Sequence, residues 1–473
     1  MSSSSDNSHV VVIGAGPGGY PAAFAAAHRG FRVTMVDENA NPGGVCLNVG
    51  CIPSKALLHV ARVIHEAADV ASWGIDYRPP TIDLDKLRAK KNKIVEKLTR
   101  GISAMAAAHR VKQVRGRARF LDARTLEITS EGQAKKLEFD HAIIATGSRP
   151  AAPKALSLDT DRVMDSTGAL ELPDIPATLL VVGGGYIGLE MGTVYAALGT
   201  RVSVVEMTGG LLPGADRDLA DVLTRKLRDT FEDVLLDTRV MEMSGGDAVV
   251  NAKLLGPDLK EERAYDRVLV AVGRRPNSGN LGLEKVAAEL DDHGFIEVDA
   301  QRRTAEPSIF AIGDVAGEPG LAHKATHEAR VAVEAIAGEP SAFDPACIPA
   351  VVFTDPEVAW CGLSENEALR EGIHHKVVGF PWAASGRAAS LDRPKGLTKL
   401  VIEPRTDRIL GVGIVGVGAG DLISEGALAV EMGATVKDLA LTIHPHPTMS
   451  ETVMEAADLY LGHSPHFIER KKR

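Results

Sequence analysis

VIGAGPGGYPAAFAAAHRGFRVTMVD, running from Val12 to Asp37, sets the architecture of this chain. Its pattern returns 169 residues later as VVGGGYIGLEMGTVYAALGTRVSVVE, Val181 to Glu206. Each copy begins at the end of an apolar run, Val10 to Ile13 and Leu179 to Val182. A Gly-x-Gly-x-x-Gly follows: Gly14, Gly16 and Gly19, then Gly183, Gly185 and Gly188. A small-residue, helix-like segment comes next, stopped by Gly30 or Gly199. A second apolar run closes on an acid, Asp37 or Glu206, 23 residues after the first glycine in both copies.

This is the pattern of a βαβ dinucleotide-binding unit. The first glycine permits the tight strand-to-helix turn. The second lets the backbone approach a pyrophosphate, and the third lets helix and strand pack closely. The helix N-terminus turns free N–H groups and a positive dipole end toward phosphates. The terminal acid is expected to accept hydrogen bonds from ribose hydroxyls. One copy alone also describes an ordinary turn; two copies with matched strands, stops and acids predict two bound dinucleotides. A tight flavin and a mobile nicotinamide are the expected pair. No arginine follows Glu206, and an acid there repels a 2′-phosphate, so NAD is expected rather than NADP.

Composition narrows the class. The 473 residues are 45% apolar and 25% charged, as in an ordinary globular protein able to bury large cores. Acids outnumber bases 63 to 53, giving a formal net charge of -10, which argues against a nucleic-acid binder. No run reaches the ~18 consecutive apolar residues of a membrane span. The start, Met1 to Ser8, lacks the basic and apolar regions of a signal peptide and reads as a short disordered lead. The basic tail Glu469 to Arg473 reads as a solvated terminus. Four cysteines rule out a disulfide scaffold and imply a reducing compartment.

Two of those cysteines stand in Gly43-Gly44-Val45-Cys46-Leu47-Asn48-Val49-Gly50-Cys51-Ile52-Pro53-Ser54-Lys55. Zinc sites favour two to four intervening residues and need a second ligand pair, which the sequence does not offer. Residues five apart on a regular helix lie roughly 140° apart around its axis, so a bridge between them needs a local distortion. Gly50 and Pro53 are suited to supply one. The alternatives at this point are a reducible short-loop disulfide and two buried free thiols. Cys347 and Cys361 read as small core residues. His323 and His327, four apart, read as a solvated or packed helix face rather than a zinc pair.

The run Gly43 to Lys55 resembles the redox-disulfide signature of the flavin-dependent pyridine nucleotide–disulfide oxidoreductases. Further segments are similar to the dihydrolipoamide dehydrogenases within that family. They are Leu321 to Ala325, Ile348 to Trp360, Phe380 to Ala384 and His446 to Glu451. The resemblance covers nearly the whole chain after Val10. There are departures: Pro21 early in the first helix, Gly320 for a usual methionine, and Tyr186 at a position that gates the nicotinamide site in related reductases. Pro445 replaces a usual alanine between two histidines and puts the pose of His446 in question.

The resemblance implies an α/β fold with two Rossmann-like dinucleotide-binding domains and a C-terminal α+β dimerisation domain. The expected division is an FAD-binding domain at 1–150 and an NAD-binding domain at 151–276. A central segment at 277–347 completes the FAD domain, and the dimerisation domain spans 348–473. It implies a Cys46–Cys51 redox disulfide, with Cys46 meeting the substrate and Cys51 against the flavin. It also implies an ion pair of Lys55 and Glu190 beside the flavin, and Asp314 on the flavin's sugar chain. Glu38, Gly116 and Ala322 join the implied cofactor set. Ala145-Thr146-Gly147 and Ala271-Val272-Gly273-Arg274 mark crossings between the dinucleotide domains. His446 becomes the proton acceptor, contributed by the partner subunit of a homodimer. Thr448-Met449-Ser450-Glu451 reads equally as a helix capping box and as the source of a carboxylate, Glu451, that orients His446. The implied reaction is oxidation of dihydrolipoyl groups by NAD⁺. The implied partners are lipoyl domains and the acyltransferase core of 2-oxoacid dehydrogenase complexes in a bacterial cytosol, with no nucleic acid, membrane or metal. The alternatives are a reductase of another disulfide or of a metal ion, and a subunit whose main role is assembly.

Overall fold

The computed structural model describes residues 8–468, so the expectations for Met1 to Asn7 and for Glu469 to Arg473 lie outside the described residues. The first glycine motif sits in a five-stranded sheet. Its order is Ile309–Ala311, His141–Ile144, His9–Ile13, Arg32–Asp37 and Lys112–Arg115. All four pairings are parallel. Val10, Val11 and Val12 are fully buried, as expected of a strand covered on both faces. The second motif occupies a sheet of the same plan: Asp233–Leu235, Arg201–Val205, Thr178–Val182, Arg267–Val270 and Val163–Met164. These pairings are also parallel.

The duplication extends beyond the quoted motif. Each parallel sheet carries an inserted three-stranded antiparallel meander, Arg117–Asp122 to Gln133–Glu138 ahead of strand His141–Ile144 in one and Arg239–Gly245 to Lys260–Tyr265 ahead of strand Arg267–Val270 in the other. Two short strands, Ser148–Pro150 and Arg274–Pro276, pair antiparallel where the chain leaves and re-enters the first unit. The return of Ile309–Ala311 to the edge of the first sheet brings Asp314 to its carboxyl end, where ligands of open α/β sheets bind.

The glycines act alike in both copies. Gly14 has φ +105° and Gly183 φ +111°, values that L side chains rarely adopt. A Cβ on Gly14 would meet the Ala145 carbonyl oxygen at 2.2 Å, and one on Gly183 the Ala271 oxygen at 2.4 Å. The first glycine therefore lets the turn lie against the neighbouring parallel strand. The third glycine packs on the first: a Cβ on Gly19 would lie 1.9 Å from the Gly14 oxygen, and one on Gly188 2.4 Å from the Gly183 oxygen. Gly14→Ala should therefore cost about 3 kcal/mol or more, combining the strained φ with a backbone clash. Thermal unfolding measures it; a near-native midpoint would show that the turn relaxes at little cost.

The C-terminal unit is a five-stranded antiparallel sheet. Its order is Ala350–Val352, Glu357–Gly362, Ile409–Gly416, Leu397–Ile402 and Lys376–Pro381. The helices Ala419–Glu431 and Glu451–Leu461 pack against it. Val352, Val358 and Val415 of this sheet share a core with the second dinucleotide unit and with Leu57 and Leu58 of the helix that follows Cys51. The cysteine helix is thus clamped between units.

The stretch Gly44–Trp73 is long and apolar enough to cross a membrane by length and composition. Its break at Gly50 and its ion-paired Lys55 make it part of the site instead.

Candidate active site

The cysteine segment is built as the sequence suggests, by breaking a helix. Gly44–Val49 is one helix and Cys51–Asp69 the next, with Gly50 between them at φ −148°, ψ −113°. The Gly43 N–H donates to the Ala15 carbonyl at 2.7 Å, tying this segment to the first glycine loop. A Cβ on Gly44 would lie 2.6 Å from the Gly16 Cα, so only glycine allows this approach.

Both cysteines are free thiols here, which is the reduced form of the pair. They interact with each other. Cys51 opens its helix, where the dipole favours a thiolate. The hydrogen bond from Cys46 lowers the Cys51 thiol to about 7 against its burial, and Lys55 assists. The same contact, with burial, pushes the Cys46 thiol up. The pair therefore loses its first proton at Cys51. Reduced protein should show a thiolate ionising near pH 7 in its ultraviolet absorbance. That step should be missing from Cys51→Ser, and its persistence there would assign it to another thiol.

Lys55 reaches the second unit. Its Nζ donates to Glu190 at 2.8 and 3.1 Å, and Glu190 also accepts the Phe353 N–H at 3.0 Å. The Phe353 ring lies 4.7 Å from the Lys55 nitrogen. Glu190 is only 3% exposed. Removing Lys55 would leave the buried Glu190 carboxylate without its cation, at a cost of about 3 kcal/mol, whereas Lys55 itself is partly exposed to solvent.

A cavity of about 680 Å³ runs from the first glycine loop to the cysteines. Gly14, Gly16, Asp37, Glu38, Gly116, Thr146, Gly147, Asp314 and Ala322 line it, with Cys46, Cys51, Lys55 and Glu190 at the other end. Tyr186 lines it from the second unit. Gly19, Gly183, Gly185, Gly188, Glu206 and Gly273 do not line it. The cavity's size and shape suit a dinucleotide. A Cβ on Gly16 would have only Gly44 Cα nearby, at 3.7 Å, and one on Gly185 nothing within 4 Å. The middle glycine of each motif thus faces open space, as close approach of a pyrophosphate requires.

The two terminal acids hold partners within the protein that residue order did not reveal. Asp37 accepts from the Ala15 N–H at 2.7 Å and from the Asn39 backbone and side chain. Glu206 accepts from the Gly184 N–H at 2.8 Å and from the Thr208 N–H and hydroxyl. Each acid therefore braces its own glycine turn in the same way. A carboxylate has about four acceptor positions, so capacity for a ribose hydroxyl remains.

Two residues, Ser148 and Glu328, escaped the sequence reading, and Arg274 entered it only as the end of a crossing segment. Ser148 donates to Asp314 at 2.5 Å, and Arg274 donates to the Ser148 hydroxyl and carbonyl, both at 2.7 Å. Glu328, wholly buried, accepts the Gly313 N–H at 2.6 Å and pairs with Arg302 and Lys324. It anchors the turn that presents Asp314. No motif marks Ser148 or Glu328, since each acts through a partner more than a dozen positions away.

Glu451 makes the back-bond to Thr448 and the contact to His446. The capping box itself does not form, because Thr448 lies outside the helix and its hydroxyl bonds Pro445 and Ser450 instead. The Glu451 Oε1 contacts His446 Nδ1 at 2.8 Å, and its Oε2 accepts the Thr448 N–H at 2.7 Å. Burial opposes the charge, but the Thr448 N–H and His446 outweigh it and hold the carboxyl below its usual range. The helix begins at Glu451 itself, and Ser450 makes no side-chain cap. Pro445 does not prevent the His446–Glu451 contact. The His446 side chain is 75% exposed, and neither residue lines the cavity within the chain.

His323 and His327 are exposed, and His323 Nε2 meets the Pro349 carbonyl. No cluster of metal-ligating residues occurs among the described residues. Cys361 is buried as expected, but Cys347 is only partly so, and the two thiols touch.

Residues 8–329 match the family described as pyridine nucleotide-disulphide oxidoreductase, and residues 348–457 match its dimerisation domain. The chain belongs to the pyridine nucleotide-disulphide oxidoreductases. Among similar members, the dihydrolipoyl dehydrogenase of Haemophilus influenzae is 48% identical over 96% of this chain and 95% of its own. That of Geobacillus stearothermophilus is 44% identical over 97% of each. The crystal structure of LpdA from Mycobacterium tuberculosis superposes with a TM-score of 0.88 at 28% identity, covering 95% of this chain and 99% of that one. The two-sheet plan and antiparallel C-terminal unit are thus the family's fold.

Proposed function

We propose that the protein oxidises protein-bound dihydrolipoyl groups to lipoyl groups and reduces NAD⁺ to NADH, with FAD as its resident cofactor. The observation that carries this reading is the Cys46–Cys51 pair, broken out of a helix at Gly50 and placed between the first glycine loop and the Lys55–Glu190 ion pair. FAD is assigned to the 680 Å³ cavity and NAD to the second glycine motif. The flavin, when bound, supplies two-electron transfer between the cysteine pair and the nicotinamide.

The protein's own groups do the rest. In the oxidised form a substrate thiolate attacks Cys46 Sγ, the Cys46–Cys51 bond breaks, and Cys51 leaves as a thiolate. Lys55 and the helix N-terminus stabilise that anion. The second substrate thiol then displaces Cys46 and closes the lipoyl disulfide. His446 of the partner subunit accepts the substrate proton at Nε2, while Glu451 holds its Nδ1–H. The divisions 1–150, 151–276, 277–347 and 348–473 serve as FAD, NAD, central and dimerisation regions. Lipoyl domains and the acyltransferase core of 2-oxoacid dehydrogenase complexes are the partners, in a bacterial cytosol.

The test is NADH formation from dihydrolipoamide and NAD⁺, beside glutathione and NADP⁺ controls. Turnover restricted to dihydrolipoamide with NAD⁺ supports the reading. A yellow, FAD-loaded protein inactive there, but active on another disulfide, overturns it.

A further inference from the structure

The C-terminal unit holds a second pair of thiols. Cys361 lies on the strand Glu357–Gly362 and shares a core face with Ala359, two residues before it, as strand alternation requires. The helix Ala419–Glu431 covers that face through Ile423, Ala429 and Val430. Cys347 approaches the same place from the segment entering the neighbouring strand, Ala350–Val352. Its thiol donates to the Ala427 carbonyl of that covering helix at 3.7 Å. The strand register sets Ala350 opposite Trp360, which leaves Cys347 and Cys361 at adjoining ends of one strand pair. Cys347 is partly exposed and Cys361 is 2% exposed.

We propose that Cys347 and Cys361 are a second oxidisable dithiol, closed to a disulfide by a peroxide and distinct from the Cys46–Cys51 pair. Cys347 is the reacting thiol, because it is the accessible one. Its thiolate attacks one peroxide oxygen and the O–O bond breaks, giving a Cys347 sulfenic acid and, after protonation, water. The Cys361 sulfur then attacks Cys347 Sγ. The S–O bond breaks, the S–S bond forms, and a second water leaves with the Cys361 proton. Two thiols lose two electrons, and one hydrogen peroxide becomes two waters.

The contact between the thiols suits this division of labour. The hydrogen bond from Cys361 holds the Cys347 thiol below its ordinary value, against burial and the Glu431 carboxylate. The same contact and burial push the Cys361 thiol up. A lowered, accessible thiol beside a resolving cysteine is the arrangement of peroxide-sensitive sites. Closing the bond would tie the entry of the C-terminal unit to its own sheet across a loop of about 15 residues.

The sequence makes the test clean. Trypsin releases Cys347 and Cys361 together in residues 331–370, and Cys46 and Cys51 together in residues 33–55. Full-length holoenzyme is treated with hydrogen peroxide, alkylated under denaturing conditions, digested and weighed. The expected result is a 331–370 peptide that has lost two hydrogens and carries no alkyl group, restored by dithiothreitol. In Cys361→Ala, a sulfenic-acid trap such as dimedone should label Cys347. Two alkylated cysteines in 331–370 at peroxide levels that close 33–55, or an unlabelled Cys347 in Cys361→Ala, would overturn the proposal.

Discussion

Cys46→Ser should leave a folded protein that still retains FAD but no longer oxidises dihydrolipoamide. The serine hydroxyl fits the space of the thiol, and the Gly43–Ala15 backbone bond that seats this segment does not involve the side chain. What is lost is the electrophilic sulfur of the oxidised pair, and an oxygen cannot stand in for it in thiol–disulfide exchange. Dithiol-dependent NADH formation should fall to the detection limit. Reduction of an artificial dye by NADH, which bypasses the cysteines, should persist. That second readout separates a lost exchange partner from a collapsed site. Retained dithiol turnover in Cys46→Ser would remove Cys46 from the mechanism.

His446→Gln should slow the dithiol half-reaction about 10²- to 10⁴-fold, the usual contribution of a positioned general base. With Nδ1 held at 2.8 Å by Glu451, the exposed Nε2 is the nitrogen free to take a proton. Glutamine keeps a contact to Glu451 but accepts no proton at neutral pH. Folding should be unaffected, since the His446 side chain is mostly exposed and Glu451 keeps its Thr448 N–H. Stopped-flow reduction by dihydrolipoamide measures the step. A near-normal rate would make His446 structural.

Much of this site is legible in residue order because local rules write it there. Gly14 and Gly183 are needed where a strand turns into a helix against a neighbouring carbonyl, and that constraint is repeated in the same words in both units. The break between Cys46 and Cys51 is likewise local, since Gly50 interrupts helical dihedrals between adjacent helices. The Lys55–Glu190 pair is different. Its members lie on two ordinary-looking helices, 135 positions apart, and only family resemblance pointed to them.

The chain's order alone pointed to two dinucleotide units, to a distortion between the two cysteines and to NAD rather than NADP. Each follows from short-range geometry or from charge at a strand end. Folding in three dimensions was needed to show that Asp37 and Glu206 brace their own glycine turns. It was also needed to divide Glu451 between a backbone N–H and His446. Ser148, Arg274 and Glu328 are joined only in the folded chain into a support around Asp314, and Cys347 met Cys361 only beneath a covering helix. In these cases a polar atom, once buried, must find whichever partner the packed chain places beside it, and sequence spacing does not specify that neighbour.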